Sequence, residues 1–207
     1  AEKFREITRR DYFEKVYNNI LLLIAEGFHV KVNAVLIKDF NDNEIIDFIN
    51  LTKTHPISVR FIEFMPFDGN AWNKDKLVSY NAIMNHVNDA FDEKEVLRIE
   101  DAPNDTSKNY KIEGYKGSFA IISSVTNPFC DSCNRIRLTA NGRLKNCLFS
   151  ATESDLLTPL REGKDITPMI QKAVQSKFKI RGGMDTLEKL ETPDLHGKNR
   201  SMIAIGG

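Results

Sequence analysis

Outside residues 129–149 the chain contains no cysteine; all three, Cys130, Cys133 and Cys147, sit in the stretch FCDSCNRIRLTANGRLKNCLF. Disulfides consume cysteines in pairs and structural zinc takes four ligands, so three thiols gathered in one place fit neither scheme without help. Neither sign of charge is in excess, since 29 lysines and arginines face 29 aspartates and glutamates. No overall field draws nucleic acid or an acidic membrane toward the protein, and any anion site must be local. Long apolar runs are missing as well. The longest, Ile20–Ala25, falls far short of the roughly 20 residues that cross a bilayer, and no export signal opens the chain. These absences predict a cytoplasmic protein with neither a membrane nor a nucleic-acid partner, in which thiols serve metal or catalysis. Internal repeats and low-complexity tracts are absent too. The first residues, AEKFREITRR, carry neither a methionine nor a strand and read as the middle of a helical layer, so the chain is expected to be a piece of a longer protein.

What is present alternates. Apolar residues at Phe13, Val16, Tyr17, Ile20, Leu21, Ile24 and Phe28 follow one helical face, with Gly27 placed to end it. HVKVNAVLI, residues 29–37, is rich in β-branched residues, NDNEIIDFINLTKTH returns to helical spacing, and ISVRFIEFM, residues 57–65, is a second strand with so little polar alternation that both faces should be covered. Helix, strand, helix, strand predicts an α/β fold with parallel strands. Beyond Pro66 the rhythm changes: a helix near residues 81–91, short strands in YKIEGY and SFAIISS, then helices near 153–161 and 167–178. That half is expected to be antiparallel or mixed. The domains are drawn as residues 1–72 and 73–207.

The cysteine stretch carries the chemistry. Two cysteines three apart can grip one metal centre from a tight turn. Asn141-Gly142 signals a two-residue hairpin, whose register would bring Cys147 opposite Ile136, three residues from Cys133. The readings open at this point are a reduced trio of small buried side chains, zinc with Asp131 or one of the four histidines as fourth ligand, and an iron–sulfur cubane with one iron left open. Arg135 and Arg137 would share a strand face beside the thiols, with Arg143 nearby, two guanidinium forks suited to phosphate oxygens. Glu63 and Arg60 on the second strand suggest an ion pair or a catalytic role. His29, His55, His86 and His196 show no metal-binding spacing and read as surface or boundary residues.

The stretch FCDSCNRIRLTANGRLKNCL resembles the C-terminal cluster motif of the GTP 3′,8-cyclases of molybdenum cofactor biosynthesis, a radical S-adenosylmethionine family. VKVNAV and VRFIEFMP resemble that family's late barrel strands, and NRSMIAIGG its closing double-glycine tail. The resemblance implies the last part of an incomplete (α/β) barrel, residues 1–72, followed by an α+β iron–sulfur region. It implies that Cys130, Cys133 and Cys147 ligate a [4Fe-4S] cluster and that Lys31, Arg135, Ile136 and Arg137 bind GTP. Met65 would contact S-adenosylmethionine, Arg60 would line the substrate cavity, and Gly206 and Gly207 would enter the active site. The family's other cluster needs a Cys-x-x-x-Cys-x-x-Cys run, which this sequence lacks, so the chain alone is expected not to cleave S-adenosylmethionine. Its partners would be GTP, S-adenosylmethionine, the next enzyme in the synthesis of cyclic pyranopterin monophosphate, and a second copy in a homodimer. Two other classes stay in view: a zinc-stabilised module binding a phosphorylated ligand, and an electron-transfer protein with a fully protein-ligated cluster.

Overall fold

In the computed structural model, which describes residues 1–192 and 199–205, the chain opens with helices α1 (Glu2–Thr8) and α2 (Phe13–Ala25). The end of α2 matches its sequence signal: the Phe28 N–H donates to the Leu23 carbonyl and the Gly27 N–H to that of Ile24, the paired bonds that close a helix C-terminus. Two compact units follow from the contacts, Ala1–Phe64 with Lys76–Asn127, and Met65–Asp75 with Pro128–Gly207.

The first unit is mixed α/β. Its sheet comprises β1 (Lys31–Leu36), β2 (Ser58–Glu63), β3 (Val96–Arg98), β4 (Lys108–Ile112) and β5 (Ser118–Ile122), in the order β1-β2-β5-β4-β3. The β1–β2 and β2–β5 pairs are parallel, and the β5–β4 and β4–β3 pairs antiparallel. The predicted parallel start and mixed continuation therefore belong to a single sheet. Helix α3 (Ile45–Thr54) makes the crossover from β1 to β2 and buries Ile45, Ile49 and Thr52; α4 (Tyr80–Ala90) buries Ile83 and Val87. These positions stand four apart or closer, so each helix offers one stripe to the core of Leu36, Val59, Phe61, Phe119 and Ile121.

The other sheet face is not covered as the sequence of the second strand suggested. Along β2 the residues alternate between fully and partly buried, and along β1 Lys31, Asn33 and Val35 are exposed while Ala34 and Leu36 are buried. Arg60 and Glu63 do not pair either. The Arg60 Nε–H donates to Asn33 Oδ1 on β1 at 2.8 Å. Glu63, fully buried, accepts from the N–H groups of Tyr80 (2.9 Å), Val125 (2.7 Å) and Thr126 (2.8 Å), and from the Thr126 hydroxyl. A carboxylate with three backbone donors and a hydroxyl is satisfied without a cation, and it meets the first turn of α4, where the helix dipole favours negative charge.

In the second unit, β6 (Arg137–Leu138), β7 (Arg143–Lys145) and β8 (Ser154–Asp155) form an antiparallel sheet backed by α5 (Leu157–Arg161) and α6 (Thr167–Gln175), with α7 (Leu187–Glu191) beyond. Leu144, Leu156 and Ala173 are its core, lined by Ile166, Met169 and Ile170. The predicted helix over 153–161 loses its first turn to β8, whose Ser154 pairs with Leu144; tertiary pairing overrides local periodicity there. No helix among the described residues is long and apolar enough to cross a membrane.

Two predictions follow from buried and paired carboxylates. Glu63→Ala should cost at least about 3 kcal/mol in urea unfolding, since it strands three backbone donors in the interior. Asp101 accepts hydrogen bonds from Arg98 and from the backbone and side-chain nitrogens of Asn109, and the Arg98 guanidinium leads the groups that hold its carboxyl well below the usual range. A depressed folded value gives stability that is present above about pH 4 and lost as pH falls further. Asp101→Asn should flatten that acid slope; an unchanged slope in acid titrations monitored by circular dichroism would remove Asp101 as its source.

Candidate functional site

The cysteine loop begins with a single 3₁₀ turn, Cys130–Ser132, closed by the Cys133 N–H donating to the Cys130 carbonyl at 3.2 Å. The tight turn expected of CDSC is therefore present. The hairpin differs from expectation by one residue. Arg137 pairs with Lys145 and Leu138 with Leu144, while the Thr139 N–H donates to the Arg143 carbonyl. The loop thus holds Ala140, Asn141 and Gly142, with Gly142 alone at positive φ (73°), the three-residue form rather than the two-residue one. Residues directly opposite now add to one less than the two-residue turn would require, so Ile136 is not the partner of Cys147. Pairing in β6 also begins only at Arg137, which is half-buried, whereas Arg135 is exposed outside the strand with its guanidinium 5.9 Å from the Phe129 ring centroid. The two arginines do not share a strand face. Ile136 is exposed between them.

All three thiols are free and partly buried, and Cys130 and Cys133 stand close enough to Cys147 to disfavour its thiolate. Burial is the largest influence pushing the Cys147 thiol up, and the two neighbouring sulfurs add to it against the Phe149 N–H. Cys133 goes the other way. Burial again raises it, but the Arg135 N–H and the Lys177 ammonium outweigh burial and lower the thiol overall. The Lys177 Nζ donates to Cys133 Sγ (3.3 Å) and to the carbonyls of Cys133 (3.0 Å) and Arg135 (3.1 Å), and the Arg181 N–H donates to Cys130 Sγ at 3.4 Å. Among the described residues no three of His, Cys, Asp or Glu are gathered to hold one metal ion. The donor set here is three thiols, soft ligands of the kind that zinc and iron–sulfur groups both take.

A second feature escaped sequence reading. Lys145 is buried: its Nζ donates to the Ser150 carbonyl and to Asn199 Oδ1 (2.8 Å), and it lies 3.9 Å from a Glu153 oxygen. Burial lowers its pKa, opposed first by Glu153 and then by Cys147. Asn199, also buried, donates to the Leu148 carbonyl (3.1 Å), and Arg200 pairs with Glu153 at 2.6 Å. The segment approaching the C-terminus is pinned to the strand that leads into Cys147. No local signal marks a lysine that is enclosed partly by Asn199, 54 residues away.

In the first unit, Lys31 and Arg60 lie on the open face of the sheet, with Asn33 between them holding the Arg60 guanidinium. An open cleft of about 320 Å³ adjoins the start of β1, lined by His29, Lys31, Ser58, Lys111, Lys116 and Gly117 among others. His29 and His86 are exposed and His55 half-buried. Met65 begins the second unit, and its carbonyl accepts from the Asn70 side chain at 2.7 Å. Gly206, Gly207 and His196 lie outside the described residues.

Comparison with known proteins now bears on this arrangement. Residues 57–181 match the family model Molybdenum Cofactor Synthesis C. Over 209 aligned residues the chain is 44% identical to GTP 3′,8-cyclase, mitochondrial, of Arabidopsis thaliana, covering 99% of this chain and 51% of that protein. It is 40% identical over 207 residues to molybdenum cofactor biosynthesis protein 1 of Homo sapiens, covering 98% of this chain and 31% of that one. A bacterial relative, GTP 3′,8-cyclase of Syntrophomonas wolfei, is 39% identical over 184 residues, covering 85% of this chain and 55% of its own length. The chain thus spans between about a third and just over half of these relatives.

The turn facing Cys130 gives a stability test. Gly182 has φ 63°, and a Cβ there would lie 2.8 Å from the Ser150 N and 3.0 Å from its Cα. Gly182→Ala should lower stability by about 2 kcal/mol or more, combining left-handed strain with backbone collision. Gly163, at φ 74° with open space around a Cβ, is the control and should lose only about 1–2 kcal/mol when changed to Ala. Equal losses in thermal unfolding would mean that the close approach to Ser150 contributes nothing.

Proposed function

The chain belongs to the Molybdenum Cofactor Synthesis C family, and from that premise we propose that it is the cluster- and GTP-binding part of a GTP 3′,8-cyclase, which converts GTP to (8S)-3′,8-cyclo-7,8-dihydroguanosine 5′-triphosphate. The observation that carries the reading is the trio of thiols Cys130, Cys133 and Cys147, free of disulfides and each supplied with an N–H donor. In this reading they hold a [4Fe-4S] cluster, which when bound would supply an iron with no protein ligand for contact with the purine. β1, α3 and β2 make one β-α-β unit with parallel pairing, as the late part of an (α/β) barrel requires, and residues 73–207 carry the cluster region.

The chain's own groups do the binding and positioning. Arg135 and Arg137 flank Ile136 and supply cationic forks for phosphate oxygens; Arg135 is steadied against the Phe129 ring. Lys31 is exposed and Arg60 is oriented by Asn33 on the same sheet face, and among the described residues neither is held in an ion pair that an anion would have to break. Met65 would contact S-adenosylmethionine, and Gly206 and Gly207 would approach the substrate, an assignment consistent with the Asn199 and Arg200 anchors that precede them. The second cluster, which with S-adenosylmethionine starts the radical chemistry, needs three more thiolates than this sequence contains. The product would pass to the enzyme that forms cyclic pyranopterin monophosphate.

Anaerobic reconstitution with iron and sulfide should yield about four of each per chain and a [4Fe-4S] absorption and resonance signature that GTP perturbs. Zinc alone at one per chain, or a signature indifferent to saturating GTP, would overturn the assignment. Arg137→Ala should weaken GTP binding roughly 10- to 100-fold with the cluster intact, the worth of a charge-assisted contact.

A further inference from the structure

Residues 177–183 form a wall against the thiol loop that the cluster reading does not explain by itself. Lys177 stands two residues beyond the end of α6 and reaches Cys133 Sγ at 3.3 Å while also bracing the carbonyls of Cys133 and Arg135. Four residues on, Arg181 adopts φ 41°, a left-handed conformation unfavourable for a residue with a side chain. That conformation is held in place by its surroundings: the guanidinium is buried and donates to the Asp185 carbonyl at 2.7 Å, and Gly182 packs on the Ser150 backbone. Its result is an amide N–H aimed at Cys130 Sγ at 3.4 Å. Backbone strain that persists next to reactive groups marks a site whose geometry is imposed by the rest of the structure.

Resting on the cluster reading above, we propose that Lys177 is a positioning residue that sets the reduction potential of the thiolate-bound group, with the Arg181 amide as its fixed companion. Two of three sulfurs thereby receive N–H donors from one segment, and the one at Cys133 carries a full positive charge. Adding an electron to a cluster makes its sulfurs more negative, so a cationic donor stabilises the reduced state more than the oxidised one. The same ammonium holds the loop through two carbonyls, so removal of charge must be separated from loss of the brace.

The test uses the whole chain, reconstituted anaerobically, with Lys177→Gln and Lys177→Arg compared with the unaltered protein. Gln keeps an N–H donor for the carbonyls without the charge, and Arg keeps the charge. Iron and sulfide content are measured first, and the cluster is then titrated with a low-potential reductant that gives it one electron. The expected result is full iron and sulfide in all three, with Lys177→Gln harder to reduce by about tenfold in the equilibrium, about 59 mV for one electron, and Lys177→Arg close to the original. An unchanged potential in Lys177→Gln, or an equal shift in Gln and Arg, would overturn the proposal while leaving the cluster in place. Cluster loss in Lys177→Gln alone would also overturn it, assigning Lys177 to bracing. An unaltered chain that takes up no iron and sulfide would remove the cluster reading itself.

Discussion

The first unit depends on the carboxylate of Glu63. It ends β2, lies entirely out of solvent, and receives three backbone N–H groups and a hydroxyl from the start of α4 and from residues 125–126. A buried charge costs several kcal/mol unless every lone pair is met, and here the donors come from elements that the chain reaches 17 and 62 residues later. One side chain therefore fixes where α4 begins and how the chain leaves β5.

The thiol loop is electrically uneven. Cys147 sits two residues beyond β7, where burial and its neighbouring sulfurs oppose ionisation, while Cys133 has a lysine and an amide beside it. In the proposed reading, a multinuclear group with a net positive core would offset the mutual repulsion of three thiolates. Lys145 extends the same logic inward. Its buried ammonium lies near Cys147 and is offset by Glu153, while Lys177 donates to Cys133.

Much of this was legible before any coordinates. The helix ending at Gly27, the parallel strands in HVKVNAVLI and ISVRFIEFM, and the tight CDSC turn all rest on local spacing, and local spacing is what a sequence displays. The failures share a different cause. Asn141-Gly142 signalled a hairpin, but the loop length depended on the Thr139 side chain, which accepts from the Arg143 N–H and bonds Asn141, so the register moved by one residue. Glu63 and Arg60 suggested an ion pair or a catalytic role because both sit on one strand, yet residues three apart on a strand point to opposite faces, which rules out the pair. Lys145, Lys177 and Asn199 were invisible because each has at least one partner more than 40 residues away in the chain and their residue types are ordinary on a surface.

The enclosed ammonium of Lys145 has an evolutionary corollary. A cation shut away from water is tolerable only while Glu153 supplies the balancing charge and Asn199 the remaining acceptor. Substitution at any one of the three leaves the other two worse than before, so drift at these positions is blocked unless all of them change together. Across descendants of this chain, positions 145, 153 and 199 should behave as a single inherited character, and the segment approaching the C-terminus travels with it.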